Sequence, residues 1–190
     1  MVKLLVIDNY DSFTFNLVQL IEQAGIVDYI LRKNDNLKSL ESHSFNKVII
    51  SPGPGIASEA GDLLWFIDKY HNSKPILGIC LGHEAIAEFF GARLIQLDSP
   101  LHGIQNIGII EKEDNIFKGI PRSFSIGHYH SWNIDESSLP NILEVILRDE
   151  TGLNMAIRHT SLPITGLQFH PESIMTEFGL EMVKNWIAEQ

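Results

Sequence analysis

The ten residues Pro75-Ile76-Leu77-Gly78-Ile79-Cys80-Leu81-Gly82-His83-Glu84 constrain the fold of this chain more than any other stretch. Ile76 to Ile79 reads as a short buried strand. Ala85, Ile86, Phe89 and Phe90, closed by Gly91, carry helical spacing. Between the two lies Gly78-x-Cys80-x-Gly82, so the chain must turn sharply from strand to helix with a nucleophilic side chain at the corner. Such a corner forces strained backbone angles on its central residue. Glycines on either side remove the side chains that would collide there. The turn lifts Cys80 above the sheet edge and sets it at a helix N-terminus, where N–H groups and the helix dipole favour a thiolate. A lone cysteine is also a common small buried hydrophobe, and the elbow pattern alone leaves both readings open.

The rest of the chain alternates in the same manner through its first half. Lys3 to Asp8 reads as a first, central strand. Asn9-Tyr10-Asp11-Ser12 reads as a turn in which Asp11 or Ser12 caps a helix bearing Phe13, Leu17, Leu20, Ile21 and Ala24, closed by Gly25. Val27 to Leu31 and Val48 to Ile50 read as strands, Leu37 to Glu41 as a short helix, and Glu59 to Tyr70 as a longer one. Four successive strand–helix units predict a parallel sheet with helices on both faces. The second half reads as short strands at 93–97, 103–110, 123–126, 141–148, 153–159 and 164–169, with a hairpin turn at Thr151-Gly152, before a final helix with Leu180, Val183, Trp186 and Ile187. The expected architecture is therefore an α/β three-layer sandwich: a mostly parallel central sheet, helices on both faces, and mixed or antiparallel strands added in the C-terminal half. With 190 residues and no linker-like or repetitive segment, it reads as one domain over 1–190.

Composition narrows the function classes. A net charge of −10 argues against nucleic acid as a partner, because phosphate contacts need clustered Lys and Arg. No apolar run approaches the roughly 20 residues of a membrane helix, and Met1 to Asp8 lacks a secretory h-region and cleavage site. One cysteine fits a reducing compartment. The expectation is a cytoplasmic chain with neither membrane nor nucleic acid as partner.

Two further stretches bear on Cys80. Gln168-Phe169-His170-Pro171-Glu172 closes an apolar strand. In extended backbone, residues two apart share a face, so His170 and Glu172 point the same way, and Pro171 ends the ladder. A carboxylate beside an imidazole fixes its tautomer and stabilises its protonated form. Cys80, His170 and Glu172 then supply nucleophile, base and orienter. A cysteine nucleophile acting on an amide passes through an oxyanion that needs N–H donors. Leu81 supplies one. The rigid loop Ser51-Pro52-Gly53-Pro54-Gly55 sits after a strand, where open α/β sheets place ligands. Its prolines lack N–H groups, so Gly53 or Gly55 must supply the other. Cys80, His83, His128 and His130 can be assembled on paper into a zinc set, but the elbow gives Cys80 a simpler role and no metal is expected. His43, His71, His102 and His159 read as surface or turn histidines.

Together, Ile7-Asp8-Asn9-Tyr10-Asp11-Ser12-Phe13-Thr14, Ser51-Pro52-Gly53-Pro54-Gly55, Gly78-Ile79-Cys80-Leu81-Gly82-His83, Tyr129-His130-Ser131 and Gln168-Phe169-His170-Pro171-Glu172-Ser173-Ile174 resemble the class I, triad-type glutamine amidotransferases. The resemblance is closest to the small subunits of anthranilate synthase and aminodeoxychorismate synthase. It implies that Cys80 attacks the side-chain amide of L-glutamine, with His170 as proton shuttle and Glu172 as its orienter. It implies that Gly53, Pro54, Gly55, Glu84 and the backbone of Ser131 and Trp132 bind the substrate. Residues 9–12 and 128–130 are implied to face a partner or to support the site. No cofactor is implied in this chain; the implied partner is a large chorismate-using subunit that itself needs Mg2+. Three positions depart from the family pattern. Glu84 stands where Gln is usual, which predicts an anion that raises the Cys80 pKa or pairs with the substrate ammonium. Ile104 follows His102-Gly103 where Lys is usual, and Trp132 is bulkier than the usual residue. Besides the glutaminase reading, two alternatives stand: a γ-glutamyl hydrolase-like enzyme acting alone, and a catalytically weak or silent chain that only stabilises a synthase.

Overall fold

The computed structural model describes residues 2–189; Met1 and Gln190, the ends of the expected domain, lie outside the described residues. Nine strands form one sheet. In chain order the main elements are β1 (Leu4–Asp8), α1 (Thr14–Gln23), β2 (Tyr29–Lys33), β3 (Lys47–Ile50), α2 (Leu63–Tyr70), β4 (Ile76–Ile79), α3 (Leu81–Phe89), β5 (Arg93–Ile110), β6 (Ser123–Asp135), β7 (Leu143–Asp149), β8 (Asn154–His159), β9 (Ile164–Leu167) and α4 (Gly179–Ala188). Across the sheet the order is β2-β1-β3-β4-β9-β8-β7-β5-β6. The β2-β1-β3-β4-β9 half is parallel and the remaining pairs are antiparallel.

Strand periodicity builds the three layers. Along β1, Leu4 and Val6 pack with Leu17 and Ile21 of α1 and Met182, Val183 and Trp186 of α4. Leu5 and Ile7 turn to the other face and pack with Leu63, Phe66 and Ile67 of α2 and Ala85 and Ile86 of α3. Strands sandwiched this way are apolar on both faces through their middle, which is why β1, β3 and β4 read as continuous hydrophobic runs.

Several local expectations change. No helix joins β2 to β3: residues 37–41 form turns, from which Leu37 and Leu40 reach the core without helical backbone. The first half therefore lacks one of the four predicted strand–helix units. β2 begins at Tyr29 because Val27 is 85% exposed and pairs with nothing in the sheet. The longer helix starts at Leu63, with a single 3-10 turn at Ala57–Glu59 before it. α1 is capped without a side chain at Phe13; Asp11 instead accepts from the Phe13 N–H at 2.7 Å, bracing the preceding turn. The predicted strands at 93–97 and 103–110 are one strand, β5, carried past Pro100 by register shifts on its β6 side. Asp149 Oδ1 accepts from the N–H groups of Thr151 and Leu153, closing the β7–β8 hairpin at the expected Thr151-Gly152 turn. No helix among the described residues is long and apolar enough to cross a membrane.

Candidate active site

Cys80 follows the last residue of β4 and precedes the first of α3, with φ 51° and ψ −103°. That backbone is left-handed and strained for a residue with a Cβ. Its N–H donates to the Leu167 carbonyl at 2.7 Å, which locks the corner to the end of β9. The flanking glycines are sterically required. A Cβ on Gly78 would lie 2.3 Å from the Gly82 carbonyl oxygen, and one on Gly82 would lie 2.7 Å from the Ile50 carbonyl oxygen. The elbow read in the sequence is thus present, with the Leu81 N–H directed at the sulfur.

β4 and β9 run parallel with Ile79 opposite Leu167, so the segment after β9 emerges beside Cys80. His170 is buried, and its Nδ1–H donates to Glu172 Oε1 at 2.7 Å. The carboxylate partner assigns that tautomer. It leaves Nε2 as the acceptor nitrogen, and Nε2 has no hydrogen-bond partner within the described residues. The Glu172 side chain is also fully buried. The backbone around the ring is fixed by Thr176, whose Oγ1 donates to the His170 carbonyl, and by the His170 N–H donating to Gly127. Phe13 and Tyr129 wall the imidazole, with ring centroids at 5.2 and 5.0 Å.

The loop at 51–55 is tied to the turn after β1. The Asn9 N–H donates to Ser51 Oγ and its Nδ2 to the Ser51 carbonyl, while Asn34 Nδ2 donates to Asn9 Oδ1. Gly53 is wedged where a Cβ would meet Asn9 at 2.5 Å and the Leu81 side chain at 2.6 Å. It therefore abuts the residue after the nucleophile. Pro54 and Gly55 are exposed, and Gly55 (φ 78°) faces only Glu59. Of the two glycines left open by the sequence, Gly53 is the one beside the elbow.

The zinc set does not assemble: no three His, Cys, Asp or Glu side chains among the described residues converge as metal ligands. His83 is buried against Gly166, and burial lowers its pKa to about 3. His130 Nδ1–H donates to the Trp132 carbonyl at 2.7 Å, and its Nε2 lies 3.1 Å from His128 Nδ1. Burial lowers the pKa of both, that of His130 to about 4. Neither buried histidine presents its ring to a partner surface. In the 9–12 turn Tyr10, at 53% exposed, and Ser12 face outward. Ser131 and Trp132 are half-buried on β6 and form no hydrogen bond to Cys80.

Glu84 raises the Cys80 pKa as expected, but two other electrostatic expectations change. Burial, followed by the nearby acids Glu84, Glu172 and Asp11, pushes the Cys80 thiol well above its ordinary value, and this outweighs the Leu81 N–H. The free site thus holds a neutral thiol rather than a thiolate. Glu84 is not an anion in neutral solution either: burial raises its pKa to about 8. Its Oε1 accepts from Gln168 Nε2 at 2.9 Å, and the same nitrogen lies 3.9 Å from Cys80 Sγ. Gln168 was missed as a site residue. The signal was present, because the alternation that aligns His170 with Glu172 also aligns Gln168 two residues earlier.

Comparison with known proteins agrees with this geometry. The family model for class-I glutamine amidotransferases matches residues 5–190. Anthranilate synthase component 2 of Mycobacterium tuberculosis is 41% identical over 98% of this chain and 82% of its own length. Aminodeoxychorismate/anthranilate synthase component 2 of Bacillus subtilis is 41% identical over 97% of this chain and 95% of its own. A solved Thermoplasma acidophilum structure, assigned to GMP synthase, superposes with a TM-score of 0.86 at 30% identity, covering 98% of this chain and 92% of that one. The chain belongs to the class-I glutamine amidotransferases.

Proposed function

We propose that this chain is the glutaminase component of a two-chain, chorismate-using synthase, and that it delivers ammonia to the larger subunit for anthranilate or 4-aminobenzoate synthesis. The observation that carries the chemical half of this reading is the buried His170–Glu172 pair, with a free ring nitrogen, at the sheet edge where Cys80 sits on its strained corner. The relatives named as component 2 support the partner half.

In this mechanism Cys80 Sγ attacks the side-chain amide carbon of glutamine as His170 Nε2 takes the thiol proton. A neutral resting thiol makes that base necessary. Glu172 stabilises the imidazolium through the Nδ1–H bond. The oxyanion is held by the N–H groups of Leu81 and Gly53. Collapse breaks the carbon–nitrogen bond, and His170 returns the proton to the departing nitrogen, which leaves as ammonia. Water, deprotonated by the same ring nitrogen, then cleaves the γ-glutamyl thioester and releases glutamate with the thiol restored. Gly53, Pro54, Gly55, Glu84, Ser131 and Trp132 form the glutamine pocket. The chain itself uses no cofactor; the larger subunit supplies Mg2+ and the chorismate site.

The test is the Cys80→Ala variant in complex with a chorismate-using subunit. Glutamine-dependent product should fall by at least about a thousandfold, while ammonia-dependent product stays at the wild-type rate. Loss of both activities, or retention of both, would overturn the reading. Glutaminase activity of the isolated chain equal to that of the complex would favour an enzyme acting alone.

A further inference from the structure

We infer that Glu84 and Gln168 form a protonation-controlled pair that sets the reactivity of Cys80: a neutral Glu84 carboxyl, held by the Gln168 amide, keeps the nucleophile competent, and ionisation of that carboxyl switches it off. The link to turnover rests on the glutaminase reading above; the link to thiol reactivity does not.

The geometry is local and closed. Glu84 stands one helical turn after Cys80 on α3 and is 3% exposed. Gln168 reaches across from the segment after β9 and donates from Nε2 to Glu84 Oε1 at 2.9 Å, with Cys80 Sγ 3.9 Å from the same nitrogen. One amide group therefore touches both the acid and the nucleophile. Gln168 Oε1 is buried without a partner, so the side chain is not held there by a competing bond. A protonated carboxyl suits this arrangement: Oε1 accepts from Gln168, and the hydroxyl on the second oxygen remains a donor.

No positively charged group acts on Glu84 among the described residues, and His170, the base for Cys80, is itself bonded to Glu172. Glu88, on the same helix, acts on Glu84 as a like charge. The groups acting on Cys80 from other elements are Glu172 after β9 and Asp11 before α1, both acids. His83 on α3 and His130 on β6, packed on the same side, are kept neutral by burial. None of the ion pairs in the described residues involves Glu84. An ionised Glu84 is thus a buried, unpaired anion next to a sulfur that must itself become anionic. Each charge opposes the other, and burial strengthens the opposition. The carboxyl ionises at about pH 8, so the switch lies just above neutrality.

Two readouts test this in the whole chain. The first needs no substrate: the rate of Cys80 alkylation by iodoacetamide, followed by mass from pH 6.5 to 10, with Cys80 as the chain's sole thiol. Glu84→Gln, which keeps the shape and removes the ionisation, should react about tenfold faster than wild type at pH 9 and titrate at lower pH. The second is kcat/KM for glutamine in the reconstituted complex, divided at each pH by the rate at saturating free ammonia and scaled to each variant's own maximum. The wild-type profile should fall about tenfold per pH unit above about 8, and Glu84→Gln should lack that limb. Gln168→Met removes the bond that favours the Glu84 anion, so its limb should move to higher pH. A purely structural role for either residue would lower the amplitude without moving the midpoint. Equal alkylation rates and midpoints for wild type and Glu84→Gln would overturn the inference. A shifted alkylation profile with no glutamine turnover in any complex would leave the pair standing and remove the glutaminase reading instead.

Discussion

Cys80 holds φ 51° beside two glycines that contact backbone, a conformation that costs of order 1–3 kcal/mol. The Cys80 N–H bond to Leu167 and the packing of the glycines offset that strain and fix the sulfur. Burial and neighbouring acids hold the thiol neutral, so in the proposed mechanism the burden of activation falls on His170 and on its orientation. Glu172→Gln keeps the side-chain shape but permits the wrong imidazole tautomer. It should lower glutamine-dependent kcat by about a thousandfold or more with little change in KM, as measured by steady-state kinetics of the complex. A drop under tenfold would mean that Glu172 is not the orienter. At this scale the sequence disclosed the elbow and the His-x-Glu pair, because strand alternation and glycine spacing are local rules. It did not disclose the state of Glu84, since burial is a property of the assembled fold. Lys47 is a second such case: it is buried, with Nζ donating to the carbonyls of Trp186, Ile187 and Glu189 at the end of α4.

The elements that place the site are short and mutually dependent. α3 can approach the sheet only because Gly82 lies against Ile50 of β3 and Gly166 of β9 admits the His83 ring. Gly82→Ala puts a Cβ 2.7 Å from the Ile50 carbonyl oxygen, which is backbone and cannot rotate away. The variant should lose about 3 kcal/mol in chemical denaturation, with the midpoint falling and the slope unchanged. A midpoint equal to wild type would show that α3 can slide to accommodate the methyl group. Elements with continuous apolar runs, β1, β3 and β4, were legible almost to the residue. β2 was displaced by an apolar but exposed Val27, and the turn at 37–41 mimicked a helix because the buried Leu37 and Leu40, three residues apart, resemble the start of a stripe. The continuity of β5 through Asp98-Ser99-Pro100 was hidden because bulged pairing tolerates the residues that normally mark a break.

In the whole molecule, Cys80 follows β4 inside the parallel half of the sheet and His170 follows the neighbouring β9, the strand at which pairing turns antiparallel. The proposed nucleophile and base thus come from adjoining strands, 90 residues apart in the chain. Sequence reading recovered the layers and this shared edge, while the division of the sheet into equal parallel and antiparallel pairings emerged only from the assembled strands. The outward-facing Tyr10 and the exposed Phe15 lie on the turn and helix that border the same edge, next to the Phe13 ring that walls His170. One reactive sulfur belongs at this edge, and labelling by a glutamine-like electrophile tests that placement most directly. Peptide mapping of the labelled complex should find a single adduct, on Cys80, with glutamine-dependent turnover lost in proportion to labelling and ammonia-dependent turnover retained. An adduct on another residue, or full glutaminase activity in protein quantitatively labelled at Cys80, would contradict it.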